Sequence, residues 1–383
     1  MTLNTKSDRI TVIVKVTSNC NLDCPYCYTK STIKKGNPFM PIETFEKIIK
    51  DVSKNYEQAT IIFHGGEPTL LPLEWYKQAV DIINKHKEMY NINFRLAMQT
   101  NLTLFDEEKF KFFSDNEIAV GFSYDGMTNH LTRKNDEVIL NNYKKYSEFS
   151  FNQPGAICLI TNNNYKELEK DFKLFELLDI KAKFNLVFNT VTMDGDLVVL
   201  DTDIIIEKFE WLLKRICSFE RHSLEKVFHE YIGYIYGNDK YVALCTRIDC
   251  RKKWISIHFN GDAYPCGQEW GQKSKKYLLG NIHENTIPEI FEKEPFKLFY
   301  NKVQSKMDNC KSHCEIYDFC HGGCPGESFS NMGDVDLVDE HTCKFEKGMI
   351  EMVKRVLEKQ HIVNKSFLKI IRGSNGSKRH SRI

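Results

Sequence analysis

Three cysteines near the start of the chain are spaced closely enough to bind one metal centre. Cys20, Cys24 and Cys27 lie in the stretch "TSNCNLDCPYCY" with C-x3-C-x2-C spacing. Iron–sulfur cubanes are normally held by four cysteine thiolates, so three ligands would leave one iron open to another molecule. An open coordination position is typical of a catalytic metal rather than a structural one. A structural zinc site is the alternative, but no histidine stands nearby to complete it.

A second group of eight cysteines lies in the last third of the chain. Its members are Cys245, Cys250, Cys266, Cys310, Cys314, Cys320, Cys324 and Cys343. The chain has 13 cysteines and no secretion signal, which argues against a disulfide framework. Eight thiolates suffice for two fully ligated four-iron clusters, with two zinc-ribbon-like sites as the alternative. Cys158 and Cys217 fall in apolar segments and are predicted to be buried core thiols.

The segments around these cysteines alternate between strand and helix patterns. Short apolar, β-branched runs predict strands at residues 10–17, 59–64, 92–99, 117–123, 155–161 and 181–188. Segments of helical period separate them, such as "IETFEKIIKDVSKNY" and "LEWYKQAVDIINKHKEMY". This alternation predicts an α/β fold, a partial (β/α)6 TIM-like barrel followed by a small cysteine-rich domain.

Polar or glycine-rich stretches follow the first five predicted strands. They are the cysteine loop, "HGGEPT" (64–69), "QTN" (99–101), "SYDG" (123–126) and "TNNN" (161–164). Each alone is typical of ordinary turns. Because all five fall at carboxyl ends of parallel strands, where barrel enzymes place their active sites, we expect them to line one site.

The composition restricts the class of partner and the domain count. With 383 residues the chain exceeds the usual size of a single hydrophobic core, and we expect domains at residues 1–235, 236–345 and 346–383. Its net charge of +1 gives no basis for nucleic-acid or membrane binding. No apolar run is long enough for a signal or a membrane span, so we expect a soluble, cytoplasmic protein.

The last predicted domain combines a helix with a basic tail. Apolar residues at Phe345, Met349, Val353 and Val356 predict a packed helix. The tail from Lys359 onward has seven basic residues and no acid, and we expect it to be solvated and disordered. A docking arm for an acidic leader peptide is the alternative.

The motif "CNLDCPYC" and the "GGEP" after the second strand resemble the signatures of radical S-adenosylmethionine (SAM) enzymes. The resemblance implies that Cys20, Cys24 and Cys27 hold a 4Fe–4S cluster whose open iron is chelated by SAM. It implies that one electron cleaves SAM to a radical that abstracts a substrate hydrogen. The cofactor contacts expected from it are Tyr26, Gly65, Gly66, Glu67, Gln99, Ser123 and Arg133.

The later cysteines, with "NGDAYPC" and "LLGNI", resemble the SPASM domain of peptide- and protein-modifying radical SAM enzymes. The resemblance implies two auxiliary 4Fe–4S clusters, making three in all. The first would be held by Cys245, Cys250, Cys266 and Cys324. The second would be held by Cys310, Cys314, Cys320 and Cys343.

The implied activity is that of a peptide maturase that installs a C–S thioether or C–C cross-link in a small ribosomally made precursor peptide. Alternatives are an anaerobic sulfatase-maturating enzyme, which makes formylglycine, and a peptide epimerase, in which Cys158 would donate a hydrogen atom. An iron–sulfur electron carrier or zinc scaffold is the non-enzyme alternative. Sulfatase-maturating relatives carry an aspartate after the "NGxxYPC" cysteine, where this chain has Gly267, and Glu269 is the nearby acid. We expect a flavodoxin or ferredoxin as electron donor and a separate leader-binding protein or the tail for leader recognition.

Overall fold

The structure is a computed structural model that divides into two compact units. It describes residues 6–27, 38–187, 200–241, 249–268 and 275–373. Unit 1 comprises Met1–Ser123, Asn135–Pro154 and Cys250–Lys302. Unit 2 comprises Tyr124–Lys134, Gly155–Asp249 and Val303–Ile383. The domain boundaries expected after residues 235 and 345 stay a prediction.

Strands and helices alternate through the first half of the chain, as the sequence predicts. The elements are β1 (Ser7–Thr17), α1 (Ile42–Asn55), β2 (Tyr56–Gly65), α2 (Leu73–Tyr90), β3 (Asn93–Thr100), α3 (Glu107–Asp115), β4 (Ile118–Ser123), α4 (Asn129–Thr132), α5 (Asp136–Ser147), β5 (Gly155–Ile160), α6 (Leu168–Leu177), β6 (Lys181–Leu186) and α7 (Thr202–Cys217). The predicted strands are all present, with ends moved by a few residues. The short helix α4 and helix α5 were not predicted.

The second half of the described chain is mostly helical. Its elements are α8 (His229–Ile235), β7 (Trp254–His258), β8 (Asp262–Tyr264), β9 (Gly280–Asn281), α9 (Ile287–Glu292), α10 (Glu294–His313), α11 (Tyr317–Cys320), α12 (Pro325–Met332), α13 (Glu340–Lys359) and α14 (Lys365–Arg372). None of the helices in the described part of the chain combines the length and apolar character that crossing a bilayer requires.

Unit 1 is built on a sheet with strand order β4-β3-β2-β1-β7-β8-β9. The pairs β4-β3, β3-β2, β2-β1 and β1-β7 are parallel. The pairs β7-β8 and β8-β9 are antiparallel. Strand β7 comes from the cysteine-rich half of the chain, yet it lies directly beside β1. The sequence did not predict this pairing.

The two faces of this sheet differ. Phe63 of β2 is fully buried and contacts the rings of Phe45 on α1 and Trp75 on α2, so its face lies under the helices. Alternate residues of a strand point to opposite faces. Thr60, Ile62 and His64 therefore lie on the other side, which we call the inner face, and each of them is partly exposed.

Unit 2 contains the parallel pair β5-β6 and the helices that pack around it. Its helix α13 is the packed helix predicted after Cys343, and it buries Met349, Val353 and Val356. The prediction of a disordered tail is wrong for residues 365–372, which form α14. Phe367 and Ile370 of α14 are fully buried, because the apolar period within "FLKII" outweighs the basic charge. Residues 374–383 of the tail lie outside the described residues.

Replacing Phe367 by alanine should lower the free energy of unfolding by about 3 kcal/mol, the usual cost of a cavity at a buried aromatic site. Urea unfolding followed by circular dichroism measures it. The matched control is Lys369→Ala, an exposed residue of the same helix, which should change stability by less than about 0.5 kcal/mol. Equal stability of the two variants would contradict the docking of α14.

Candidate active site

The cysteine loop follows β1 and is shaped by contacts to sulfur. The Leu22 N–H donates to Cys20 Sγ at 3.4 Å, and Asn101 Nδ2 lies 3.9 Å from the same atom. A turn brings the Cys27 N–H to the Cys24 carbonyl at 3.1 Å. The Leu22 N–H and the Asn101 side-chain amide favour negative charge on the Cys20 sulfur. Tyr26 lies within the same turn and is partly exposed.

The Cys20 thiol is protonated at neutral pH in the metal-free chain. Burial raises its pKa to about 11, with the charges of Glu67 and Cys27 acting in the same direction and the Leu22 N–H opposing them. Because metals bind thiolates, cluster assembly here must release a proton.

Two glycines hold the loop after β2 against the cysteine loop. Gly65 has φ of +137°, and a Cβ there would lie 2.1 Å from the Thr17 carbonyl oxygen. A Cβ on Gly66 would lie 2.1 Å from the Asn19 carbonyl oxygen. The Gly66 N–H donates to Thr17 O at 2.9 Å, and the Glu67 N–H donates to Asn19 O at 2.8 Å. The backbones of the two loops are therefore in contact, and a side chain at residue 65 or 66 would force them apart.

The Glu67 carboxylate links the loops after β2 and β3. Its Oε1 accepts from the Thr69 N–H and hydroxyl and from the Thr100 hydroxyl, at 2.7 to 2.9 Å. Its Oε2 accepts from the Asn101 N–H at 2.7 Å. Burial raises the pKa of this carboxyl, while these donors lower it. The carboxylate is 1% exposed and is engaged by these protein donors, and the role of Glu67 as a SAM contact stays a prediction.

Gln99 and Ser123 lie together on the inner face of unit 1. Gln99 Nε2 donates to Ser123 Oγ at 2.9 Å, and a Cβ on Gly121 would lie 2.7 Å from Gln99 Oε1. Arg133 belongs to unit 2, where its Nε donates to Asp125 Oδ2 at 3.2 Å. Its side chain is 13% exposed, so Arg133 is not a surface residue.

The thiol of Cys158 lies on the buried side of its strand. In β5 the buried positions are Ala156, Cys158 and Ile160, and the alternate positions are partly exposed. Burial and the charges of Asp125 and Asp171 raise the pKa of Cys158 well above its usual value. The burial fits the predicted core role. Cys217, at the end of α7, is likewise fully buried.

Unit 2 gathers cysteines of the second predicted cluster. Burial, together with the charges of Cys310 and Cys314, raises the pKa of Cys343 to about 11. Cys320 ends α11. No three His, Cys, Asp or Glu side chains in the described ranges converge on one metal position. A cubane needs no such point, because each cysteine binds a separate iron.

A buried lysine accompanies these thiols. Lys306 is 2% exposed and donates to Ser328 Oγ at 2.8 Å. Burial lowers its pKa, and the charges of Cys324, Cys310 and Cys320 oppose that effect. Its ammonium therefore compensates negative charge on the sulfurs around it. Lys306 was not predicted as a site residue, because a lysine in the helical "NKVQSKMDNC" is no signal by itself.

The first predicted auxiliary set stays a prediction. Cys245 lies outside the described residues, Cys250 and Cys266 belong to unit 1, and Cys324 belongs to unit 2. Gly267 is described: a Cβ there would lie 2.8 Å from Ile13 Cδ1 of β1. Glu269, the other acid considered at this position, lies outside the described residues.

Lys15 and His258 on the inner face were not predicted from the sequence as site residues, whereas His64 belongs to the predicted "HGGEPT" stretch. Lys15 pairs in register with His64 of β2 on one side and with His258 of β7 on the other. The signal in the sequence is the lysine inside the apolar run "ITVIVKVT", since a buried charge needs a reason. Its neighbours could not be read without the β1-β7 pairing.

Comparison with known proteins relates this geometry to characterised enzymes. Residues 14–175 match the family described as the radical SAM superfamily, and residues 245–315 match SPASM, described as an iron-sulfur cluster-binding domain. The cysteine-type anaerobic sulfatase-maturating enzyme of Clostridium novyi (strain NT) is 26% identical over 82% of this chain and 87% of its own.

Solved structures share the fold. Native anSMEcpe with bound AdoMet and Kp18Cys peptide is 25% identical, with a TM-score of 0.75 over 91% of this chain and 98% of its own. Streptococcus suis SuiB bound to precursor peptide SuiA is 16% identical and shows the fold alone, with a TM-score of 0.60 over 88% of this chain and 76% of its own. These likenesses confirm the partial barrel followed by a SPASM region, and SAM with 4Fe–4S clusters as cofactors.

Gly66→Ala should prevent the cysteine loop from holding its cluster, because the new methyl group overlaps the Asn19 carbonyl and displaces the loop that carries Cys20. We expect anaerobically reconstituted protein to lose about one cluster's iron out of three. Iron and sulfide analysis measures it. Gly155→Ala is the control, since its Cβ meets nothing closer than 3.7 Å. Full iron content in Gly66→Ala would contradict the close-packing role.

Lys306→Met should make an auxiliary cluster harder to reduce, because a positive charge beside the thiolates is lost. The expected shift is on the order of 60 mV to more negative potential, the equivalent of about 1.4 kcal/mol for one electron. Potentiometric titration monitored by electron paramagnetic resonance measures it. Lys297→Met, at an exposed position of the same helix α10, is the control. An unchanged potential would show that Lys306 has only a packing role.

Proposed function

This chain is a radical SAM enzyme with a SPASM domain, a peptide-modifying enzyme related to the anaerobic sulfatase-maturating enzymes, and we propose that it matures a small ribosomally made precursor peptide. The modification proposed is a C–S thioether or C–C cross-link. The observation that carries the choice is Gly267. It stands where a sulfatase-maturating enzyme is expected to carry the aspartate that takes the substrate proton.

The residues at the site fit the implied cofactors. Cys20, Cys24 and Cys27 offer three thiols on one loop, and the close contact at Gly65 and Gly66 fixes the loop beside them. We assign these three cysteines to the SAM-binding cluster and the backbone of the two glycines to the methionine end of SAM. When bound, SAM supplies the radical that removes a hydrogen atom from the substrate.

The other cofactor contacts are assigned by position. Gln99 orients Ser123 on the inner face through their hydrogen bond, and we place the ribose of SAM at this pair. Tyr26 is assigned to the adenine. Arg133, held by Asp125, is assigned to a carboxylate of SAM.

Glycine at position 267 removes a general base from the site. A base must come within about 2.6 to 3.2 Å of the proton it abstracts, and glycine has no group that can do so. The position faces Ile13 on β1, so a larger side chain would also need Ile13 to move. The absence of a base at residue 267 supports cross-linking over formylglycine formation.

Formylglycine formation is the second candidate. The likeness to the sulfatase-maturating enzyme of Clostridium novyi, at 26% identity over 87% of that protein, favours it. It requires a base other than residue 267. The epimerase alternative would need a hydrogen donor at the substrate, and the burial of Cys158 under the helices does not support one there.

Two partners and a location complete the proposal. A flavodoxin or ferredoxin is the electron donor, since radical generation needs one electron per SAM. A separate protein, or the end of the chain, binds the leader of the precursor peptide. We place the reaction in the cytoplasm, because free thiols and iron–sulfur clusters need a reducing compartment.

Anaerobic coexpression with candidate precursor peptides, followed by tandem mass spectrometry, tests the function. Each cross-link should remove two hydrogen atoms, a loss of ~2 Da, which follows from the radical stoichiometry. The control is the triple variant Cys20→Ala, Cys24→Ala, Cys27→Ala, which should give no product and no SAM cleavage.

Sulfatase-derived peptides bearing Cys or Ser decide between the two candidates. We expect SAM cleavage without an aldehyde product, because no carboxylate stands at position 267. Formylglycine in this assay would overturn the ranking in favour of sulfatase maturation.

A further inference from the structure

The inner face of unit 1 carries three nitrogen-bearing side chains in one row. In the parallel register, Lys15 of β1 lies level with His64 of β2 and with His258 of β7. Adjacent strands are about 4.8 Å apart, so side chains at level positions of one face are neighbours. The lowering of both histidine pKa values by Lys15 is the electrostatic sign of that proximity.

Both imidazoles are neutral at physiological pH. Burial, together with the Lys15 ammonium, lowers the pKa of His64 to about 4. Burial also lowers the pKa of His258 well below its usual value, with Lys15 and His64 adding to the effect. The row therefore carries one positive charge, at its centre.

Hydrogen bonding fixes the tautomer of His64. Its Nδ1 accepts from the Gly65 N–H at 2.7 Å. A neutral imidazole whose Nδ1 accepts must carry its proton on Nε2. Lys15 can only donate, so at least two of the three side chains in the row are hydrogen-bond donors.

His258 supplies an unmet hydrogen-bonding atom. Its Nε2 is shielded from solvent and has no partner among the described residues. The Oγ of Ser256, on the same face of β7, is also shielded from solvent and has no partner among the described residues. A buried polar atom without a partner costs free energy that a ligand can recover. Both histidine side chains remain partly exposed, whereas Lys15 is 4% exposed, so a ligand reaches the row from the side of the imidazoles.

We infer that Lys15, His64 and His258 form a binding site for a carboxylate of the substrate peptide. The inference rests on the proposed function in taking the substrate to be a peptide. A carboxylate has two acceptor oxygens, so it can meet the Lys15 ammonium and an imidazole N–H on the neighbouring strand at once. The carboxylate comes from an aspartate or glutamate side chain or from the peptide C-terminus.

The row lies close along the chain to the loops that hold the cofactor, and this indicates what the site does. Lys15 lies two residues before Thr17, whose carbonyl accepts from the Gly66 N–H beside the cysteine loop. A peptide anchored at Lys15 has its neighbouring residue directed to the loops that hold the cofactor. The acidic group thus selects which residue is modified.

Direct binding is tested without turnover. Crystals of the holoenzyme, grown anaerobically, are soaked in bromide, and anomalous scattering locates the anion. We expect a bromide peak at Lys15 and His258 in the wild type and in Lys253→Met, and none in Lys15→Met. Lys253 is exposed just before β7 and serves as the control. Absence of the peak from the wild type, or its persistence in Lys15→Met, overturns the site.

Substrate selection is tested with a modified precursor peptide. Its Asp and Glu residues are replaced one at a time by Asn and Gln, and a separate peptide carries a C-terminal amide. One of these changes should lower kcat/KM about tenfold or more in the wild type, the size of one hydrogen bond to a charged group. The same change should have less than about a twofold effect in Lys15→Met. The peptide that responds shows whether a side chain or the C-terminus is bound.

A conservative variant separates binding from folding. Lys15→Arg keeps the charge and should retain the preference for the acidic peptide, whereas a variant that only disturbs the barrel loses iron content as well. Equal effects of the acidic replacements in wild type and Lys15→Met overturn the inference, even where peptides are modified. If bromide binds as expected and no peptide is modified by any preparation, the anion site stands and the proposed function falls.

Discussion

The contact between the backbones that follow β1 and β2 is the constraint on which the rest of the site depends. The carbonyl oxygens of Thr17 and Asn19 occupy the positions where residues 65 and 66 would carry Cβ atoms. Glu67 then ties this junction to the loop after β3, and Asn101 of that loop reaches the Cys20 sulfur. Three loops distant in sequence are thereby held as one unit around the thiols. The cysteines supply the chemistry, but the glycines set where it occurs.

The two faces of the unit 1 sheet have different roles. Toward the helices, Val12, Val14 and Val16 of β1 are completely buried, and burial of this apolar surface stabilises the fold. The inner face instead carries Lys15, His64 and Gln99, which an apolar core would exclude. The β1 run "ITVIVKVT" is almost continuously apolar, as is usual for a strand within a parallel sheet. The few polar residues within such runs therefore mark the functional face.

Local patterns were predictable from the sequence, and non-local pairing was not. Helix α2 coincides with the predicted helical segment "LEWYKQAVDIINKHKEMY", and the structure shows that Pro72 precedes its first turn and that Asn91 ends it in the left-handed conformation. The cysteine motifs were likewise read from spacing. The pairing of β7 with β1 depends on contacts between residues more than 200 positions apart, and no local signal encodes it. The row of Lys15 and His258 was hidden for that reason. The tail was predicted to be disordered because of its basic charge, but its apolar residues recur at helical spacing and form α14.

A radical enzyme places unusual demands on the anchoring of its substrate. The reactive species removes whichever hydrogen is nearest, so selectivity comes from position rather than from the strength of a bond. Small errors of placement cost large factors in rate, and a group carried on a paired strand is held more precisely than one on a loop. Lys15 lies on the central strand of a parallel trio, between β2 and β7. The two neutral imidazoles beside it avoid the repulsion that three like charges would create, while they keep N–H groups in reach of an acceptor. Lys15 is charged, lies on a strand that is paired on both sides and is two residues from the cofactor loops. It can therefore hold the substrate in the precise position that hydrogen abstraction requires.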